Sequence, residues 1–152
     1  MPLIYFDTSA LVKRYHLEKG SVYVDSVFDD AANDLVIGRH AVAETISAFA
    51  LKVRTGHLSL PAMVAARKRL QADVGTKRIR VIRLLQSHFG RCEKLLAHWG
   101  PMQPLRMLDA LHLSVVLDLH ENVSVNSFVG ADLGLNKIVA LEGISVINPE
   151  TV

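Results

Sequence analysis

The sequence predicts an α/β protein: a three-layer sandwich in which helices flank a mostly parallel sheet of four or five strands. Short apolar segments of strand length alternate with amphipathic segments of helix length along all 152 residues. The first of them, Leu3-Ile4-Tyr5-Phe6, is apolar at every position, which is typical of a parallel strand covered on both faces. No linker, repeat or low-complexity tract interrupts the alternation, so we expect one domain over residues 1–152.

The first half of the chain is predicted to hold two strands and three helices. In order, they cover residues 3–6 (strand), 10–18, 21–32 (helices), 34–38 (strand) and 40–54 (helix). Gly20 ends the first helix, and Gly56 ends the third. The third helix has the clearest pattern, with apolar residues at positions 42, 46, 49 and 53 on one face.

The second half continues the alternation with four helices and three strands. In order, these cover 60–73 (helix), 79–84 (strand), 86–99, 107–119 (helices), 123–129 (strand), 133–141 (helix) and 144–147 (strand). Pro61 suits the first turn of a helix. Arg80 and Arg83 place the strand at 79–84 on an edge of the sheet. The helix at 107–119 is apolar around most of its circumference and is expected to be buried.

Charge is distributed unevenly along the chain. Residues 52–94 hold eleven of the 17 Lys and Arg but only two of the 15 Asp and Glu. A positive surface for a polyanion and a solvated helix face are both consistent with this window. The cluster from Lys77 to Arg83 carries the same two alternatives: contact with the phosphates of a polyanion or a solvated edge.

Several classes of protein are disfavoured by composition. No apolar run approaches the ~20 residues that span a bilayer, and the N-terminus lacks the basic start of a signal peptide. Cys92 is the only cysteine, which excludes an internal disulfide and a Cys-rich zinc site. We therefore expect a cytoplasmic protein with no membrane association.

Four acidic residues fall in apolar surroundings or at the ends of strands. Asp7 and Asp132 each follow a predicted strand, whereas Glu44 and Asp109 lie on predicted helices. Structural roles are available to all of them: Asp7 and Asp132 as helix caps, Glu44 as a partner of the helix dipole, and Asp109 as an ion-pair partner of Arg106. Asp109 fits its structural role least well, because a charge on a buried helix needs a partner.

A metal site is the functional alternative for these four carboxylates. Helices in such folds begin where strands finish, so all four side chains are able to meet at one edge of the sheet. Carboxylates in one pocket repel one another unless divalent cations compensate, and hard oxygen ligands favour Mg²⁺ or Mn²⁺. Beside a basic surface, such a site suggests hydrolysis of phosphodiesters.

Four motifs in sequence resemble the PIN-domain family, and more narrowly its VapC-type toxins. They are Asp7-Thr-Ser-Ala-Leu after the first strand, Ala-Val-Ala-Glu44, Leu105-Arg-Met-Leu-Asp-Ala-Leu-His-Leu, and Phe128-Val-Gly-Ala-Asp followed by Val146-Ile-Asn-Pro. The resemblance covers essentially the whole chain and implies a PIN-like sandwich.

The resemblance implies a metal-dependent endoribonuclease that uses Mg²⁺, with Mn²⁺ as the alternative ion. By matching position, Asp7, Glu44, Asp109 and Asp132 are its acidic quartet, and Ser9 orients water at the metal. It further implies a homodimer and inhibition by a cognate VapB-type antitoxin. Relatives often carry Thr or Ser two residues before the fourth acid, where this chain has Gly130; Ser127 is the candidate replacement.

Two other functions stay open on the sequence alone. A degenerate PIN module would bind RNA or a partner without cutting it, and Gly130 is the only hint toward that. A phosphatase of the haloacid dehalogenase type also begins with a strand ending in Asp, but it needs a carboxylate where this chain has Ser9. Three basic residues also lie near these motifs. Arg106 is expected to pair with a carboxylate rather than to steer phosphate, and His112 is expected to pack or to form a hydrogen bond rather than to act as a general base. His40 has no assigned role.

Overall fold

A five-stranded parallel sheet forms the centre of the computed structural model, which describes all 152 residues. The strands are β1 (Leu3–Phe6), β2 (Asp34–Gly38), β3 (Ile79–Ile82), β4 (Ser127–Val129) and β5 (Val146–Ile147). Their order across the sheet is β3-β2-β1-β4-β5, and every neighbouring pair is parallel. The fold class predicted from the sequence is confirmed, and β3 lies at an edge as its arginines indicated.

Seven helices connect the strands. They are α1 (Thr8–Tyr15), α2 (Ser21–Asp29), α3 (Arg39–Arg54), α4 (Leu60–Gly75), α5 (Gln86–Trp99), α6 (Met107–Val123) and α7 (Leu133–Leu141). The largest difference from the sequence prediction is at the end of α6, which takes up Val123 from the predicted fourth strand. Ser124, at φ 56°, ends that helix, and β4 begins only at Ser127.

The helices form a layer on each face of the sheet, as the side chains of β1 show. Ile4 and Phe6 pack into a core with residues of α1, α2, α3 and α4. Leu3 and Tyr5 point the other way, into a core with residues of α5, α6 and α7. Both faces of β1 are therefore dry, which explains why its sequence is apolar without alternation.

Two arginines of the basic segment stabilise the fold. Arg80 pairs with Asp34 on the neighbouring strand at 2.7 Å. Arg78 donates hydrogen bonds to backbone carbonyls in the last turn of α2 and just after it, among them Phe28 O at 2.6 Å and Asp30 O at 3.0 Å. These contacts give Arg78 and Arg80 structural partners within the protein, so they are poor candidates for contact with RNA phosphates.

The parallel arrangement brings three strand ends and three helix starts to one edge. At this edge β1 leads into α1, β2 leads into α3, and β4 leads into α7 after a short loop. Ligands of open α/β sheets bind at this carboxyl edge. No helix of the protein has both the length and the apolar character needed to cross a membrane.

Candidate active site

An open cavity of about 620 Å³ lies at the carboxyl edge of the sheet. Its wall includes all five residues singled out from the sequence: Asp7, Ser9, Glu44, Asp109 and Asp132. They come from the start of α1, from α3, from the first turn of α6 and from the start of α7. The fold thus brings four carboxylates that are far apart in the sequence together in one wall of the cavity, called the acidic wall below.

Asp7 is the most buried of the four carboxylates, with 3% of its surface exposed. Its Oδ1 accepts a hydrogen bond from the Ala10 N–H at 3.0 Å and so caps α1. Burial raises the pKa of Asp7 to about 6, against the opposing effects of His112, Ser9 and the Ala10 N–H. No lysine or arginine compensates this charge, so the ionised carboxylate lacks a strong cationic partner.

Ser9 holds Asp7 in place. Its hydroxyl donates to the carboxylate, at 2.7 Å from Oδ1 and 2.9 Å from Oδ2. The same oxygen accepts a hydrogen bond from the Ala131 N–H at 2.8 Å. Ser9 therefore joins the end of β1 to the loop between β4 and α7, and its proton is engaged by Asp7.

Asp109 and Asp132 share one basic neighbour, Arg106. Arg106 Nε lies 3.2 Å from Asp109 Oδ2, and its Nη2 lies 3.9 Å from Asp132 Oδ2. The Arg106 side chain is 80% exposed, so this pairing is weakly stabilising. Asp132 Oδ1 accepts from the Leu135 N–H at 2.9 Å and caps α7. The structural roles considered for Asp7, Asp109 and Asp132 all occur, and each residue still lines the cavity.

Glu44 is held by hydrogen bonds from two sides. Thr8 Oγ1 donates to Glu44 Oε1 at 2.9 Å, and His112 Nε2 lies 2.9 Å from the same oxygen. Burial tends to raise the pKa of Glu44, but the contacts with His112 and Thr8 outweigh it, and the net pKa is lowered. Glu44 is therefore ionised at neutral pH, and the hydrogen-bonding role favoured for His112 is what the structure shows.

Asn136 is a buried residue beside the cavity that the sequence pattern did not indicate. Its Nδ2 donates to the Gly130 carbonyl at 2.7 Å. A Cβ added at Gly130 would lie 2.7 Å from Asn136 Oδ1 and 3.1 Å from the Asp7 carboxyl carbon. The space for a side chain at position 130 is thus filled by the Asn136 amide. Ser127, paired with Ile4 at the other end of β4, does not line the cavity.

The cavity has two further features that the sequence did not predict: a second arginine, and a cluster of two histidines and a glutamate. Arg54, at the end of α3, joins Arg106 in its wall, and both suit the binding of phosphate. His40, Glu44 and His112 form the only group of three or more His, Cys, Asp or Glu whose ligand atoms all lie within 4.8 Å of one another. The spacing of His40 and Glu44, four residues apart on a helix, was the available signal.

The donor set of the cavity fits a divalent cation. The only Lys or Arg within salt-bridge distance of the four carboxylates is the exposed Arg106, and Asp7 is buried without such a partner. Oxygen ligands of this kind suit Mg²⁺ or Mn²⁺.

Comparison with known proteins identifies the fold. No family model matches the sequence, and no curated protein matches it by sequence. Among solved structures, VapC20 of Mycobacterium tuberculosis, a Sarcin-Ricin loop cleaving toxin, superposes with a TM-score of 0.69 at 17% identity, over 96% of this chain and 99% of that one. VapBC-1 of nontypeable Haemophilus influenzae superposes with a TM-score of 0.58 at 15% identity, over 97% of this chain and 98% of that one. The PIN-like fold implied by the sequence motifs is confirmed.

Asp7→Asn is expected to stabilise the metal-free protein at high pH. Because the pKa of Asp7 is raised from 3.8 to about 6, folding is favoured when Asp7 is protonated and weakened as pH rises through this range. The ionised form costs about 3 kcal/mol above pH 6. Urea unfolding in EDTA should show a variant more stable than wild type at pH 8 by up to this amount, with the difference vanishing near pH 4.

Asp132→Asn is the matched control for that measurement. Asp132 caps a helix in the same cavity, but its side chain is 35% exposed, so neutralising it should change the stability much less. Equal effects of the two substitutions would show that burying the Asp7 charge is not costly, and a loss of stability in Asp7→Asn at pH 8 would show that Asp7 is primarily a structural residue.

Proposed function

We propose that this chain is a metal-dependent endoribonuclease of the VapC type, which acts on RNA in the cytoplasm. The observation that carries the proposal is the convergence of Asp7, Glu44, Asp109 and Asp132 on one cavity of a PIN-like fold. The order of the motifs along the chain and the fold shared with VapC20 support it. The presence of all four carboxylates argues against a degenerate module, and Ser9 argues against a haloacid dehalogenase-type phosphatase.

The four carboxylates are the residues that we assign to binding of the cation. Asp7 and Asp109 would hold the principal Mg²⁺, with Mn²⁺ as the alternative ion, and Glu44 and Asp132 would complete its shell or hold a second ion. When bound, the ion lowers the pKa of a water molecule and neutralises charge developing at the phosphate. By family resemblance, the products carry a 5′-phosphate and a 3′-hydroxyl.

Other residues of the chain position these ligands and the substrate. Ser9 fixes Asp7, while His112 and Thr8 fix Glu44, so the carboxylates are preorganised before any ion arrives. Arg54 and Arg106 are the cationic side chains of the cavity, and we assign them to the RNA phosphates. Arg106 leaves its weak pairing with Asp109 to do so.

The biological setting we propose is a toxin–antitoxin pair. VapC20 is described as a toxin, and the second similar structure is that of VapBC-1. We infer that this chain forms a homodimer and is neutralised by a VapB-type antitoxin.

Cleavage of RNA by the purified protein should require a divalent cation and the acidic wall. We expect Asp7→Asn and Asp109→Asn each to lower the rate of cleavage by at least about 100-fold. Loss of a residue that only supports a metal ligand already lowers activity by up to about 100-fold, and loss of a ligand itself should cost no less. Glu93→Gln, which changes an exposed acid outside the cavity, should cleave like wild type. Cleavage that survives EDTA, or that is unchanged in both Asp variants, would refute the proposal.

Arg54→Ala should weaken RNA binding through loss of one phosphate contact. Binding is best measured in the Asp109→Asn background, so that the RNA stays intact. The slope of log affinity against log salt concentration should fall by about 0.7, the value for one contact with a single strand. Lys68→Ala, an exposed lysine of α4, should keep the wild-type slope; an unchanged slope in Arg54→Ala would remove Arg54 from the RNA interface.

Expression of the chain alone should arrest growth of the host cells. Asp109→Asn, at equal protein level, should not, because arrest depends on cleavage. A short DNA-binding protein encoded next to this chain should relieve the arrest when expressed with it. Growth arrest that is equally strong with Asp109→Asn would show that toxicity does not depend on nuclease activity, and it would contradict the proposed role as a ribonuclease toxin.

A further inference from the structure

We propose that His40, Glu44 and His112 form a second metal site, for a transition-metal ion such as Zn²⁺, in the wall of the carboxylate cavity. His40 and Glu44 lie one helical turn apart on α3, and His112 faces them from α6. All three line the cavity, so an ion can reach them from solvent. The site goes beyond the proposed nuclease, since binding of this ion does not require cleavage of RNA.

The spacing of the ligand atoms suits one small ion. All three atoms lie within 4.8 Å of one another. Glu44 Oε1 lies 2.9 Å from His112 Nε2 and 3.7 Å from His40 Nε2. Ligands bound tetrahedrally at about 2.1 Å are separated by roughly 3.4 Å, a value between those two distances. The two distances from Glu44 thus differ from this value by a few tenths of an ångström, and the two histidine nitrogens lie within 4.8 Å of each other.

His40 is the residue that the protein itself leaves unexplained. Its side chain is 8% exposed, and neither ring nitrogen makes a well-formed hydrogen bond, the backbone of Leu108 offering only a weak one. A buried polar group without a partner is costly, and such groups need a compensating ligand or role. An ion bound to Nε2 would satisfy one of the two nitrogens.

Gly38 provides the space for the His40 ring. Its backbone, at φ −73° and ψ 149°, is one that any residue can adopt, so the glycine is not required by conformation. A Cβ at this position would lie 2.6 Å from Cε1 and 2.8 Å from Nδ1 of His40. The absence of a side chain at position 38 thus leaves the space in which the imidazole of His40 lies beside the cavity.

His112 is oriented by a second partner, as metal-binding histidines usually are. Its Nδ1 lies 2.9 Å from the Tyr5 hydroxyl, whose pKa is raised by burial, so the tyrosine is neutral. An ion held at Nε2 would leave the ring proton on Nδ1, where it can donate to the Tyr5 oxygen.

The donor set distinguishes this site from the acidic one. Two imidazoles with one carboxylate suit Zn²⁺ and neighbouring transition metals, whereas the all-oxygen set suits Mg²⁺. Glu44 belongs to both sets, but the oxygen turned to the histidines is Oε1. With three protein ligands, a fourth position is left for water or a substrate oxygen.

Titration with Co²⁺ tests the site, because four-coordinate Co²⁺ absorbs visible light intensely and six-coordinate Co²⁺ weakly. Full-length protein without a histidine tag should develop the intense band with one equivalent of Co²⁺. Zn²⁺ should abolish the band, and Mg²⁺ should not. Zn²⁺ should also raise the melting temperature, by roughly 5–10 °C at ~100 times its Kd.

Variants decide where the ion binds. His40→Ala and His112→Gln should lose the band and the Zn²⁺-induced shift, whereas Asp109→Asn and the exposed-histidine variant His57→Ala should keep both. His40 makes no well-formed hydrogen bond, so its loss should leave the fold intact by circular dichroism even if His112→Gln unfolds. The absence of an intense band in wild type, or a band that survives His40→Ala, would overturn the proposal. Mg²⁺-dependent cleavage is a separate readout, so failure here leaves the nuclease proposal standing.

Discussion

At Asp7 the chain changes from strand to helix, and the geometry of the cavity depends on how that change is made. The Asp7 N–H extends the pairing of β1 with β4 by donating to Val129 O at 3.1 Å, and its carbonyl accepts the first helical hydrogen bond from Leu11 at 3.0 Å. Its side chain caps α1. The carboxylate is therefore fixed by both elements at once, and it is buried because β1 is the central strand of the sheet.

A structural role and the proposed metal-binding role are compatible in Asp132 and Glu44 because a carboxylate has two oxygens. Asp132 uses Oδ1 to cap α7, while its Oδ2 faces Arg106, and Glu44 places both of its firm hydrogen bonds on Oε1. A helix cap is worth about 1 kcal/mol. For Asp7, that gain is smaller than the cost of burying the charge, so capping alone does not account for an ionisable residue at this position.

The parts of the structure that local pattern determines could be predicted from the sequence. The apolar run of β1, the edge position of β3 and the buried α6 all follow from residue type and spacing, as does the grouping of the four acids. Contacts made by tertiary packing could not be predicted. Asn136 fills the space above Gly130 only because α7 folds back onto β4, and the isolation of the His40 ring depends on its surroundings in three dimensions. The helical pattern of α6 also outweighed the apolar Val123 that suggested a strand.

The bond network around Ser9 limits which amino acids that position tolerates. One oxygen atom there donates to Asp7 and accepts from the Ala131 N–H. Alanine would leave both partners without this contact, and a carboxylate would repel Asp7 and offer no proton to it. A short hydroxyl side chain serves both neighbours, so Thr is the replacement that keeps the same donor and acceptor at this position. The identity of residue 9 is thus constrained by the backbone of the loop after β4 as well as by the carboxylate of Asp7.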